Sequence, residues 1–538
     1  MIVRENRLIL AHIWVALGAM FVGTAFGLLQ VYSRAGAHVT QFFDYYRLLT
    51  AHGVLLAIVF TTFFICAIAT YATYSTIPRV DRPLWIGWTA WTIMLAGTLM
   101  AAVEILAGNA TVLYTFYAPL KASPWFYLGA TLLVAGSWLV MADILVQMHA
   151  FKKANPGKKV PLPSFISAVT FVMWFIATLG VAGEMLLLIP WAFGWTSGID
   201  VHLTRLLFWY FGHPLVYFWI MGAYIIWYTV LPQMLEIPVW SDSLTRLTFL
   251  LLLPLSCPVG IHHELMDPGI SPVWKILQVG LTLAVVLPSL MTAFALFATF
   301  ENAAAQKGKT GFIGIVGALP WSNPAFCGIA LAMILFIFGG FGGIVNASYS
   351  MDILVHNTMW VVGHFHITVG GPVALTFLAV SYVMIPKLTG RRLMTPRMAL
   401  AQVFGYFVGM SIMSIGMHVE GLLGAPRRTA TLDYGGSSTL AASWEAWAIL
   451  AAIGGTIVIA NIILYAFCLA SCAGIQSRGE TSFGFAQAQN PEESPWWLNR
   501  IDLWAAACIV LVVLAYAGPI WQHFHEGPIY LAPGYRTW

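Results

Sequence analysis

The chain has 538 residues, 60% of them hydrophobic and 9% charged, with mean hydropathy +0.82 and a formal net charge of +4. Soluble domains carry about 25% charged residues, so this composition excludes the three or four soluble domains its length would allow and points to one large bundle whose solvent is lipid. A small net charge with no dense basic cluster also excludes nucleic acid as a partner.

Arg4 and Arg7 precede the first long apolar stretch. That stretch is longer than a signal-peptide core and lacks a clear small-x-small exit, so it reads as a retained first span. About 20 apolar residues cross a bilayer. On that criterion the chain has thirteen spans, centred near Met20, Ile58, Ala96, Ala135, Ala177, Ile220, Leu252, Val286, Leu335, Val369, Val408, Gly455 and Leu511. Prolines and polar residues interrupt the seventh and tenth. Lipid tolerates such interruptions only where a segment faces protein or a cofactor, so both become places to look for a site. No linker, low-complexity segment or repeat divides the chain. Residues 1–538 therefore read as a single membrane-embedded, all-α domain.

Basic residues set the orientation. Arg4/Arg7, Arg79/Arg82, Lys152/Lys153/Lys158/Lys159, Lys307/Lys309, Lys387/Arg391/Arg392/Arg397 and Arg478/Arg500 all fall on the side of the N-terminus. Lys121, Arg205 and the pair Arg427–Arg428 are opposite. The expectation is a cytoplasmic N-terminus and an outer C-terminus. The six cysteines, at 66, 257, 327, 468, 472 and 508, form no C-x-x-C pair and indicate neither a disulfide framework nor a zinc site. Cys468 and Cys472, four apart in an apolar run without nearby His or Met, read as packing.

Ionisable residues inside a membrane are costly and mark functional sites. Of the fourteen histidines, His149, His523 and His525 lie at span ends or tails and are expected to meet water. His12, His38, His202 and His418 are near interfaces or isolated, with structural or solvated roles. The other seven, His52, His213, His262, His263, His356, His364 and His366, map to the outer half of the bilayer. In GHFH, His364 and His366 are two apart and, at about 100° per residue, point to nearly opposite sides of a helix. They cannot share a metal, but one helix can serve two cofactors on its two flanks. His52, in LTAHGVLLAIVF, is a candidate partner for one of them in a bis-histidine haem.

His213, His262 and His263 form a second set, and three neutral imidazoles suit copper, or zinc in a soluble enzyme. Adjacent His262 and His263 share a metal only on an irregular backbone, which Pro254 and Pro258 favour. Tyr217 follows His213 by four residues and shares its helix face, where a phenol can supply an electron and a proton.

The segments YYRLLTAHGVLLAIVF, WYFGHPLVYFWIMGAY, GIHHELMDPGI with SPVWKILQ, and HNTMWVVGHFHITVGGP resemble subunit I of the haem–copper oxygen reductases over nearly the whole chain. The resemblance implies a twelve-helix core plus one further helix. It implies that His52 and His366 bind the low-spin haem, His364 the high-spin haem, expected to be a-type, and His213, His262 and His263 the copper. Tyr217 would match the family's tyrosine cross-linked to the first copper histidine. Arg427 and Arg428, in GAPRRTA, would clamp haem propionates, with Asp352 and His356 close by.

Departures from the mitochondrial-like branch argue for the B branch. Leu215 stands where that branch has a glutamate after the HP pair, and the eighth span reads LPSLMTAFA, without the expected lysine. The B branch takes its protons by one hydroxyl route, here Thr292, Ser289, Tyr228, Tyr224 and Tyr217. The three tyrosines are seven and four apart, on one helix face. Ala295 replaces a threonine frequent in that branch, which interrupts the lower part of the route.

The implied function is reduction of oxygen to water by a proton-translocating terminal oxidase in a prokaryotic cytoplasmic membrane. No β-domain with clustered Cys, His and Met is present, so a subunit II carrying the electron-accepting copper is expected. A soluble donor (cytochrome c or a cupredoxin) and small further subunits are also implied. A nitric oxide reductase of the same superfamily is the first alternative, and a cofactor-free transporter the second.

Overall fold

A computed structural model describes residues 4–37, 44–78, 82–393, 395–430, 439–473 and 484–526. His38, Arg79 and Arg478 lie outside these residues. In chain order the bundle comprises α1 (Arg4–Arg34), α2 (Tyr45–Thr76), α3 (Trp85–Leu106), α4 (Pro124–Ala154), α5 (Leu162–Phe193), α6 (Val201–Met234) and α7 (Asp242–Ser256). It continues with α8 (Pro272–Ala305), α9 (Pro324–Ala347), α10 (Met359–Thr389), α11 (Pro396–Leu422), α12 (Thr439–Ala470) and α13 (Ile501–Glu526). All except α7 are long and apolar enough to cross a membrane. With 15 residues, α7 is about 22 Å long, short of a hydrocarbon core of about 30 Å. The seventh predicted span is thus a broken one. It runs on through 257–260 into a 3₁₀ turn at Ile261–Glu264. Among the described residues only two isolated β-bridges accompany the helices.

Local sequence sets the helix ends. Asp44, Ser123, Asp200, Ser241, Asn323 and Thr358 accept first-turn N–H groups of α2, α4, α6, α7, α9 and α10. Gly194 and Gly390 close α5 and α10 in the left-handed conformation.

Burial sorts the helices into a centre and a rim. In the most apolar stretch of α6, 89% of the residues are buried, and in α2 and α10 72%, against 22% in α13. The histidine-bearing helices are therefore interior, which is where a polar group in lipid must go. Rim residues such as Leu186, Ile313 and Phe338 face outward. Two stretches are π-helical, Val54–Phe60 just after His52 and His366–Ala374 starting at His366. Such bulges concentrate at functional sites, and the assumption of regular helices in the sequence did not foresee them. All six cysteines are buried and free.

Candidate metal centre

On α6, His213 lies in the buried centre of the bundle, directly before Pro214. The break after α7 brings His262 and His263 to it. The ligand atoms of His213, His262 and His263 all lie within 4.8 Å of one another. His213 Nδ1 is 3.3 Å from His263 Nε2, while the His213 Nε2 is buried without a partner. The irregular backbone is what lets two adjacent imidazoles converge. Gln278 of α8 braces it, accepting N–H bonds from Gly260 (2.9 Å) and Ile261 (3.3 Å) and donating to Pro258 O (3.2 Å). Thr282, one turn on, donates to Gln278 O (2.6 Å), so its oxygen accepts from His262 Nδ1 (3.0 Å). That fixes the His262 tautomer and leaves Nε2 for a metal. Trp209 stacks on His263 at 4.0 Å and 9°. Tyr217 packs edge-on against His213, ring centroids 5.0 Å apart.

His52 of α2 and His366 of α10 face each other across a long apolar cavity, with centroids 6.0 Å apart and planes 14° from parallel. His52 Nδ1 donates to Gly23 O and His366 Nδ1 to Val362 O, each at 2.8 Å. Both Nε2 atoms are thereby left for a metal. Gly27 lets α1 approach this site, since a Cβ there would stand 2.6 Å from the His52 ring.

His364 turns the other way, toward the glycines of α9. A Cβ on Gly342 would lie 2.7 Å from its Nδ1. Thr368 donates to His364 O (2.6 Å), so its oxygen accepts from His364 Nδ1 (3.1 Å). The opposite pointing of His364 and His366 expected from their spacing is what the fold displays.

Arg427 and Arg428 line the His52–His366 cavity. Arg427 donates to Asn357 Oδ1 (2.8 Å), and Arg428 keeps a buried Nη2 without a partner. Asp352 and His356 are not in that lining. His356 Nδ1 bonds Asp352 (2.8 Å), and its Nε2 lies 3.7 Å from Asp267, an ion-pair contact that continues to Arg205 and from there to Glu264. Burial opposes charge on His356, but its contacts with Asp267 and Asp352 outweigh burial and raise its pKa to about 9. Burial likewise works against a charged Asp267, yet His356 and Arg205 bring it down to about 2.

On the lower face of α6, Tyr228 donates to Thr292 (3.1 Å). The buried Tyr224 hydroxyl lies near Thr292 and Ser289 without an aligned bond. Ser289 itself reaches only Val285 O, at 3.5 Å. Phe249 and Thr248 of α7 face Tyr228 as well.

The histidines set aside as structural or solvated divide. His418 is bonded to Ser414 O (2.8 Å), and His12 is buried beside Phe63. His523 is not free in water: it bonds His202 (2.8 Å) and Asp200 (2.5 Å), its side chain 8% exposed.

The family model for cytochrome c and quinol oxidase polypeptide I matches residues 7–457. Cytochrome c oxidase subunit 1 of Thermus thermophilus is 41% identical, over 97% of this chain and 95% of that protein. The chain belongs to the haem–copper oxidase subunit I family. The Halobacterium salinarum cytochrome c oxidase polypeptide 1 is 26% identical over 72% of this chain and 65% of that protein. A haem–copper terminal oxidase dimer solved by cryo-electron microscopy superposes with a TM-score of 0.93 at 36% identity, covering 100% of this chain and 96% of that one. Membership makes this chain a multi-pass membrane oxidoreductase, the catalytic subunit of a terminal oxidase. Haem and copper are the family's cofactors and a subunit II its partner.

The residues present fit those groups. Two metal–nitrogen bonds of about 2 Å and two half-rings span about 6 Å, the separation found between His52 and His366. Three converging neutral imidazoles suit copper. The orphaned Arg428 Nη2 is a donor waiting for an anion such as a propionate.

Several supporting residues were missed from sequence. Trp209 had a signal, four residues before His213 on the same face. Gln278, Thr282 and Thr368 had none, because each is identified only by what it touches. The same holds for Arg34, whose buried guanidinium pairs with Glu420 (2.7 Å) in the wall of the His52–His366 cavity.

Proposed function

We propose that this chain reduces dioxygen to water, taking electrons through a low-spin haem held by His52 and His366. The convergence of His213, His262 and His263 beside a separately facing His364 carries this reading. When bound, the two haems and the copper supply the electron transfer and the oxygen chemistry, in which four electrons and four protons convert dioxygen to two waters. The protein's own residues do the rest. Gly23, Val362, Thr282 and Thr368 hold the imidazole tautomers that leave the ligating nitrogens free. Arg427 and Arg428 neutralise propionates. Tyr217 gives up a proton and an electron beside His213, so that the oxygen bond is cleaved without release of peroxide.

Proton supply rises along Thr292, Ser289, Tyr228 and Tyr224 to Tyr217 from the side of the N-terminus, whose basic loops support a cytoplasmic placement. Leu215 and the lack of a lysine in the LPSLMTAFA stretch of α8 favour the B branch and its single route. Thr248 offers a further hydroxyl beside Tyr228. Because electrons arrive from the outer face and protons from the inner, turnover itself separates charge. Pumping, an a-type high-spin haem, and a cytochrome c or cupredoxin donor complete the assignment.

Against a nitric oxide reductase stands the all-imidazole donor set. A non-haem iron takes added carboxylates, and the adjacent carboxylate, Glu264, turns instead to Arg205 at 3.4 Å. Metal analysis with a haem-extract spectrum of the purified oxidase is the test. Two haems and one copper per chain are expected, and His213→Ala loses the copper while keeping both haems. A third iron in place of copper, or unchanged copper in that variant, overturns the assignment.

A further inference from the structure

α13 sits at the rim of the bundle, and of its 26 residues only Cys508, Ala515, Tyr516 and Pro519 are buried. Ala515 and Tyr516 close a small apolar cluster with Leu206 of α6 and with Ile261 and Ile270, which stand before and after His262 and His263 in the broken segment. The Tyr516 ring lies 5.1 Å from that of Tyr210, and its hydroxyl lies against Gly260, two residues before His262. A Cβ on Gly260 would collide with both that hydroxyl and the Trp209 carbonyl. Three helices therefore meet at this one residue. Gln278 of α8 takes its N–H (2.9 Å), Trp209 of α6 and Tyr516 of α13 press on its Cα. Trp209 is four residues before His213, and its ring stacks on His263.

Other ties of α13 run to the same helices. The Cys508 thiol donates to Leu253 O in α7 (3.2 Å). Trp274, in the first turn of α8, donates to Gln522 (3.0 Å) and packs so tightly on Gly518 that a Cβ there would not fit. His523 bonds His202 (2.8 Å) and Asp200 at the start of α6. Of these helices, α6 carries His213, α7 leads into His262 and His263, and α8 braces them through Gln278 and Thr282. The turn that bears His262 and His263 is only four residues of 3₁₀ helix, too short to fix its own orientation. It takes its position from what packs on it. We propose that α13 clamps the three copper ligands from the rim and that Tyr516 is a positioning residue for His262 and His263, a role that rests on the copper assignment made above. The Tyr516 hydroxyl makes no hydrogen bond among the described residues, so the side chain acts by filling space. Volume lost from a close-packed interior is taken up by movement of its neighbours, here Gly260 and the turn that follows it.

The clamp is tested on the purified oxidase complex carrying Tyr516→Ala, Tyr516→Phe or Leu514→Ala, the last a control on the same helix at a side chain 65% exposed. Copper retained per haem iron is measured by metal analysis during titration with a copper chelator. The infrared stretch of carbon monoxide bound to the copper reports the geometry of its ligands. Loss of a supporting contact outside the ligands costs metal sites about 10- to 100-fold in affinity. Tyr516→Ala is expected to lose copper on that scale and to shift the carbon monoxide band. Tyr516→Phe, which keeps the ring, and Leu514→Ala should match the wild type. The low-spin haem spectrum stays unchanged in all three, because His52 and His366 lie on α2 and α10. Should Tyr516→Ala fail to assemble, Tyr516→Leu carries the same test. Wild-type copper affinity and an unshifted band in the alanine or leucine variant overturn the proposal, even if the complex melts earlier, and reduce Tyr516 to ordinary packing. An equal loss in Leu514→Ala overturns it too. Absence of copper from the wild-type complex fails the copper assignment itself, and the clamp with it.

Discussion

His52 and His366, more than three hundred residues apart in sequence, face each other with ring centroids 6.0 Å apart and planes 14° from parallel. The pairing is set by neighbours that leave no slack: Gly23 O and Val362 O hold the outward nitrogens, and Gly27 sits against the His52 ring. Gly27→Val is therefore expected to push His52 out of register. The low-spin haem band in a reduced-minus-oxidised spectrum should fall or shift, with the high-spin band retained. An unchanged low-spin band would separate Gly27 from haem binding.

Tyr217 lies edge-on to His213, whose Nε2 is without another partner. Tyr217→Phe is expected to keep both haem spectra while lowering oxygen consumption by about two orders of magnitude or more, the scale of a lost proton donor. In the wild-type enzyme, the peptide holding His213 and Tyr217 should be two hydrogens lighter than its sequence mass if the two are cross-linked. Normal turnover in the variant removes Tyr217 from the mechanism.

The Tyr228–Thr292 hydrogen bond, at 3.1 Å, is the best-formed link of the hydroxyl route. Thr292→Val removes its bond within the route, the one from Tyr228, a cost that corresponds to about a 10-fold slowing. The effect should appear in proton uptake during single turnover, with electron transfer into the low-spin haem unaffected. Ala295→Thr, which restores a hydroxyl below it, is expected to leave that rate equal or faster.

His356 gives a pH signature with a definite sign. Its pKa is raised to about 9, so its pairing with Asp352 and Asp267 contributes in full below about 6.5 and is lost as pH rises through 9. Asp267, lowered to about 2, contributes above its ordinary range and fails only in strong acid. Thermal stability of the purified complex should decline between pH 6.5 and 9, and His356→Gln should flatten that decline. A parallel decline in the variant would place the titrating group elsewhere.

Much of this was legible in the sequence. Hydropathy marks the helices because lipid forbids unsatisfied backbone, and the interruptions in the seventh and tenth segments pointed to the places where the histidines lie. Spacing separated His364 from His366, since residues two apart on a helix point to nearly opposite sides. Pro254 and Pro258 signalled the break that lets His262 and His263 converge. The length of the seventh helix was not legible, because apolar content continues past the point where hydrogen bonding stops. Nor was the engagement of His523, which looks like a tail residue until Asp200 and His202 meet it.

The sequence by itself determined the membrane fold, the family and the set of residues able to bind metal, because hydropathy, helical period and donor chemistry are local properties. The tertiary structure alone decided which imidazoles meet, which ring nitrogen each keeps free, and that His356 joins Asp267 while Arg427 and Arg428 line the His52–His366 cavity. Those outcomes depend on distances between helices far apart in the chain, and no local pattern encodes them.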